Sequence, residues 1–208
     1  MEHIDLAPLD RSLAPLCRRY LLVLFETLPV RVNEQGVALS DWALVWALGA
    51  LADGQYEMTG AWVGRRLREP AWSDVLDGLQ VRGVEHIRFV VSANAGELNS
   101  ALEGRYPNAL VVATGSAPCA CDALPRRHRS ALVASREAMR HLQYHASRSI
   151  VRHGPFSSPR HASAFVIDRL ERALQRVAVP GVGAEPGSGR VLSTRRPDKS
   201  SGSDASPI

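Results

Sequence analysis

The run from Cys17 to Val32 (CRRYLLVLFETLPVRV) is rich in Leu and β-branched residues, and Leu28, Val30 and Val32 alternate at its end. Asn33-Glu34-Gln35-Gly36 comes next, so the segment reads as a strand closed by a hairpin turn. Val37–Leu51 is a second apolar stretch that stops at Asp53-Gly54, a strong two-residue hairpin signal. Tyr56–Val63 then reads as a third strand, with Met58, Gly60 and Trp62 alternating against Glu57, Thr59 and Ala61. After Pro70 the period lengthens. Trp72, Val75, Leu76 and Leu79 fall at three- and four-residue steps on one helical face, and Gly83 lies just past its end. Ile87–Ser92 is a short, almost wholly apolar strand, the pattern expected where both faces are covered. Leu98, Ala101 and Leu102 mark a second helix closed by Gly104, and Ala109–Thr114 is another buried-type strand.

The order β-β-β-α-β-α-β predicts an antiparallel meander that continues into right-handed crossover units, an α/β fold with a mixed sheet. A loop over Gly115–Pro125 leads to two further helices. His128–His145 carries Leu132, Val133, Met139 and Leu142 as its apolar face; Arg160–Val177 carries Phe165, Val166, Leu170, Leu174 and Val177, and Arg152–Pro159 is the turn between them. From Pro180 onward Gly, Pro, Ser and charge dominate, the composition of a disordered tail. The expected organisation is a lead segment over 1–19, a core over 20–115, a basic helical extension over 116–178 and a disordered tail over 179–208.

Charge changes this picture. Residues 1–121 hold ten arginines against fourteen acidic residues, whereas residues 122–172 hold ten against four, together with five of the seven histidines. A basic block of this kind is the footprint of a phosphate-binding surface, and Arg126, Arg127, Arg129, Arg136, Arg140 and Arg148 are its candidate DNA contacts. No apolar run approaches the roughly 18 residues that would span a bilayer, and Met1–Asp5 lacks the order of a signal peptide. A cytoplasmic protein without a membrane partner is expected. Cys17, Cys119 and Cys121 are too few for a disulfide framework and lack the companions of a zinc site.

The local wording resembles the catalytic core of Mutator-type bacterial insertion-sequence transposases, which share the ribonuclease H-like fold. The matching stretches are Leu28-Pro29-Val30-Arg31-Val32, Ala52-Asp53-Gly54 ahead of Gly60-x-Trp62-x-Gly64, and Trp72-x-x-Val75-Leu76-x-x-Leu79-x-x-Arg82-Gly83-Val84. They continue with Phe89-Val90-Val91-Ser92, Leu98-x-x-Ala101 and Tyr106-Pro107, so the resemblance covers roughly residues 20–115. It implies DNA transposition by phosphoryl transfer with magnesium ions held by carboxylates at strand ends, because two divalent ions need anionic oxygen ligands at fixed separation.

Laid on this sequence, the first family carboxylate falls on Glu26 and the second on Ala93, which has no ligand atom. Asn94 is adjacent but points the other way along an extended segment, and Glu97 at a helix start is explained by the helix dipole. Glu137, Asp168 and Glu171 are candidates for a third acid. The family's cysteine-to-histidine motif is not reproduced at Cys119 and Cys121, and only about 20 residues stand where a DNA-end-binding region is expected. The resemblance therefore implies a truncated, degenerate copy with no metal and no catalysis. Two alternatives stay open: a non-catalytic DNA-binding or protein-interaction module on the same scaffold, and an active enzyme using Glu26 with an unidentified partner. Trp46 and Trp72 are read as core residues.

Overall fold

The computed structural model describes residues 15–34, 37–65, 72–113 and 124–176. Gln35-Gly36, Pro70, Cys119, Cys121, Val177, the tail from Pro180, most of the lead segment and most of the loop expected over Gly115–Pro125 lie outside the described residues. The elements are β1 (Arg19–Glu34), β2 (Val37–Ala50), β3 (Tyr56–Arg65), α1 (Trp72–Val81), β4 (His86–Ser92), α2 (Ala95–Glu103), β5 (Leu110–Ala113), α3 (Arg126–His153) and α4 (Pro159–Leu174). Five strands form one mixed sheet in the order β3-β2-β1-β4-β5. β1 is antiparallel to β2 and β2 to β3, whereas β4 runs parallel to both β1 and β5.

Alternation on β1 divides the core in two. Leu22, Leu24, Leu28, Val30 and Val32 join Trp42, Leu44, Trp46 and Leu48 of β2 and the buried faces of α3 and α4 in one cluster. Tyr20, Val23 and Phe25 join Val45, Ala47, Ile87 and Val90 in a second, beneath α1 and α2. Helices on both faces of the sheet are the reason β4 is buried without a break from Phe89 to Ser92; a strand with one face in water would bury only every second residue.

Two sequence expectations about β3 and the turn that leads into it are corrected. Met58, Gly60 and Trp62 do not share a face, because the register shifts from Ala47 opposite Gly60 to Leu48 opposite Met58. The extra residue is Thr59, buried, with its hydroxyl donating to the Ala47 carbonyl at 3.1 Å. This β-bulge reverses the phase of the strand, so that Met58 and Val63 face the α3–α4 side and Trp62 the α1–α2 side. The β2–β3 connection is also longer than a two-residue hairpin. Leu51–Gln55 forms the loop, closed by Leu51 N–H donating to the Gln55 carbonyl at 2.9 Å, with Gly54 at φ +87°.

α3 runs eight residues beyond the expected end at His145, since Ala146 and Ile150 continue its buried stripe. Val133 is not on that stripe; it is 62% exposed. α3 stops at Gly154, whose φ of +79° favours glycine. Phe156 then pairs with β1: its N–H donates to the Arg31 carbonyl at 2.8 Å and its carbonyl accepts from Asn33 at 2.8 Å. Its ring is fully buried between His153, stacked at 4.4 Å, and Phe165 at 5.4 Å. The Ser158 hydroxyl accepts from the His161 N–H and Pro159 opens α4, an N-cap that fixes where the second helix begins.

The Phe156 contact is a sharp test of this layering. Phe156→Ala should lower unfolding free energy by about 3–5 kcal/mol through the cavity it leaves, read from urea melts. A loss below about 1 kcal/mol, the size of a surface substitution, would show that the ring is not packed as described.

Candidate functional site

A cleft of about 300 Å³ opens between β1, the end of β4 and α3, lined by Leu24, Phe25, Glu26, Val91, Arg136, Met139, Arg140 and Gln143. Its origin lies in the edge of β1. β4 pairs with β1 only as far as Val91 opposite Leu24, and Phe156 occupies β1 again at Arg31–Asn33. Between these two contacts the strand has no strand partner on that side among the described residues, and α3 supplies side chains instead. The Gln143 amide donates to the Thr27 carbonyl at 3.1 Å and accepts from the Trp46 indole N–H at 2.9 Å.

Glu26 interrupts an apolar file. Leu22, Leu24, Leu28, Val30 and Val32 all face the α3 side, and a strand of period two sends Glu26 the same way. Its carboxyl is half-buried. Burial pushes its pKa above the ordinary carboxylate value, and a hydrogen bond from the Thr27 backbone opposes this only in part. Ala93 lies two residues past Val91, as Glu26 lies two past Leu24, the last pair of the parallel register. Ala93 is exposed and does not line the cleft.

These residues do not fit a pair of divalent ions. The cleft offers one carboxylate against two guanidinium side chains, and among the described residues no cluster of three or more His, Cys, Asp or Glu could hold a metal. The candidate third acids stand elsewhere. Glu137 is on the surface of α3, paired with Arg140; Asp168 pairs with Arg172 at 2.7 Å; Glu171 is a half-buried residue of α4. Glu97 is exposed in the first turn of α2.

All six candidate DNA-contacting arginines stand on α3. At about 100° per residue, five of them fall within an arc of roughly 120° and Arg127 lies outside it. Arg126, Arg127, Arg140 and Arg148 are exposed, while Arg129 and Arg136 are half-buried at the edge of the arc. Arg129 bonds the Leu124 carbonyl at 3.1 Å, and Arg148 holds the Tyr144 hydroxyl at 2.8 Å. Arg136, Met139, Arg140 and Gln143 recur at i, i+3, i+4 and i+7, the stripe that α3 turns toward the cleft. Gln143 and Met139 are the site residues the sequence reading missed; that spacing around Arg136 was the available signal. The buried Tyr20 hydroxyl forms a separate cluster, donating to Glu57 and accepting from the Cys17 N–H at 3.1 Å, with Arg82 bonded to the Thr59 carbonyl. It ties the start of β1 to β3 and lies outside the cleft.

Glu26 makes a prediction about pH. A carboxyl whose folded pKa is raised binds its proton more tightly folded than unfolded, so stability falls as pH rises from the unfolded value through the raised one. Glu26→Gln should therefore raise the melting temperature at about pH 7 and leave it nearly unchanged at about pH 3, below both values. Equal shifts at both would remove burial of the charge as the cause.

The profile of the family described as "Transposase, Mutator family" matches residues 10–124. The transposase for insertion sequence element ISRM3 of Rhizobium meliloti (strain 1021) is 29% identical over 97 residues, covering 47% of this chain and 24% of that protein. A probable transposase for an ISRM3-like element of Sinorhizobium fredii (strain NBRC 101917 / NGR234) matches to the same extent. The chain thus spans about a quarter of the length of these curated relatives. A chain in a cryo-EM structure of the simian T-cell lymphotropic virus intasome with PP2A regulatory subunit B56 gamma shares 10% identity, covering 94% of this chain and 63% of that chain. Its TM-score is 0.27, too slight a likeness to carry an argument. Because the family match takes in more than half of its residues, the chain belongs to the Mutator family of transposases.

Proposed function

We propose that this chain is the ribonuclease H-like core of a Mutator-type transposase in a copy that no longer performs metal-dependent phosphoryl transfer. The reading is supported above all by the parallel pairing of β1 with β4, which runs to Leu24 opposite Val91, two residues short of Glu26 on one strand and of Ala93 beyond the other. These are the positions of the two family carboxylates, and one of them carries a methyl group. Strand order β3-β2-β1-β4-β5, with β1 antiparallel to β2 and parallel to β4, supports the fold assignment. Magnesium, when bound in the family, polarises the phosphoryl oxygen and activates the attacking hydroxyl. Here a single carboxylate beside Arg136 and Arg140 gives a divalent ion one anionic ligand and cationic neighbours.

DNA is the partner that the family and the charge distribution favour. Arg126, Arg127, Arg140 and Arg148 are exposed along α3, and at about 1.5 Å per residue they span roughly 33 Å, about one turn of duplex DNA. Contacts of this kind are to phosphate, so they bind without reading sequence. The same arginines would serve a non-catalytic DNA-binding module, a reading that the absence of a steep loss of duplex affinity with salt would remove.

The wild-type chain should bind no magnesium at millimolar concentration by calorimetry, whereas Glu26→Asp with Ala93→Asp should create a measurable site. Failure of the folded double variant to bind would reject the inherited-pocket reading. Duplex DNA affinity should fall steeply with salt, and removing Arg126, Arg127 and Arg148 together should flatten the slope of log K against log salt by about 2–3. A salt-independent affinity would reject phosphate contact by α3.

A further inference from the structure

Arg136 presents a problem that the transposase reading does not solve. Its Nε and Nη2 atoms, two donors of the guanidinium fork, are buried and have no hydrogen-bond partner among the described residues. Leaving a buried charged donor unpaired is among the more costly defects a fold can carry. Nearby side chains do not relieve it. Gln143 is committed to Thr27 and Trp46, Glu137 is committed to Arg140 on the surface, and Met139, Leu24 and Val91 offer no acceptor. Glu26 lines the same cleft, but its carboxyl is held by the Thr27 backbone and leaves those two Arg136 donors unmet.

The cleft has room for a small ligand. Its volume of about 300 Å³ accommodates a tetrahedral oxyanion with part of what it is attached to. Arg136 and Arg140, one turn farther along α3, both line it with the carboxyl of Glu26, and Arg140 is also ion-paired with Glu137 on the surface. A planar fork with free N–H groups matches two oxygens of a phosphate.

We propose that this cleft is an anion site, in which Arg136 holds a phosphate group beside the end of β1–β4 pairing, with Arg140 closing over it. Phosphate reaches such a site from two sources, free in solution or at the end of a nucleic acid strand. The proposal does not depend on duplex contacts along the exposed face of α3, nor on the loss of metal ligands.

The full chain is titrated with inorganic phosphate, and separately with two short single-stranded oligonucleotides that differ only in a 5′-phosphate. Binding is followed by calorimetry and phosphorus NMR. Saturable binding of phosphate, or of the phosphorylated oligonucleotide in preference to its bare twin, is expected. Arg136→Leu should weaken it by roughly 10-fold or more, the scale of a lost charge-assisted hydrogen bond, and Glu26→Gln should strengthen it by removing the opposing charge. Response to free phosphate identifies the phosphate group itself as the ligand; response to the phosphorylated end alone identifies a nucleic acid terminus. Arg136→Lys keeps the charge without the fork and serves if the leucine variant fails to fold, and it too should weaken binding. No saturable binding of either probe at tens of millimolar phosphate, or binding indifferent to both Arg136 variants, overturns the proposal. Loss of duplex binding in the Arg126, Arg127 and Arg148 variant with phosphate binding intact would leave the cleft proposal standing and identify α3 separately as the duplex contact.

Discussion

Over Leu22–Leu24 β1 is paired on both edges, to β2 on one side and β4 on the other, and its side chains feed two separate apolar clusters. A backbone so placed has no water to fall back on, so every amide must find a partner within the fold. Slipping the strand by one residue would send Leu22, Leu24 and Leu28 to the α1–α2 side and Val23 and Phe25 to the other, refitting both cores at once. Register here is therefore strongly fixed. The parallel partner fixes more, because a parallel pair requires a crossover, and α1 lies in the connection that makes it.

The site arises where that constraint lapses. Pairing with β4 ends before β1 does, and over Phe25–Val30 the open edge is covered by side chains of α3 rather than by another described strand. Gln143 does for Thr27 what a neighbouring backbone would have done. A side chain covers an edge less completely than a strand, and the remaining gap is the cleft. Glu26 sits there at a position whose neighbours in the same file are all leucine or valine. It is an expensive residue for its surroundings: burial raises its pKa, and the hydrogen bond from the Thr27 backbone offsets that only in part.

The order of strands and helices could be read from the sequence because apolar runs such as Phe89-Val90-Val91 and the Trp72, Val75, Leu76, Leu79 stripe have only one good structural solution. The misreadings have physical causes. A bulge adds one residue without any change of composition, so nothing at Thr59 announced the reversal of phase in β3. The last two turns of α3 bury only Ala146 and Ile150 among polar residues, too thin a pattern to outweigh the surrounding arginines and histidines. Val133 was misplaced for the opposite reason, an apolar residue on the solvent side. Glu26, named through the family pattern, lines the cleft, whereas Ala93, named with it, does not; the inward turn of Arg136 could not be read, since in sequence it is one arginine among six and only the lie of α3 against β1 separates it from the rest.

The backbone pairing of Phe156 with β1 has a bearing on where this unit can be cut. The family match ends at residue 124, yet α3 and α4 roof one apolar side of the sheet, and Phe156 anchors that roof to the far end of the first strand. An excised segment stopping at the family boundary would bare Trp42, Leu44, Trp46 and Leu48 to solvent along one continuous surface. Such a fragment would self-associate through that surface before it could display any chemistry of its own. The smallest autonomous piece extends through α4.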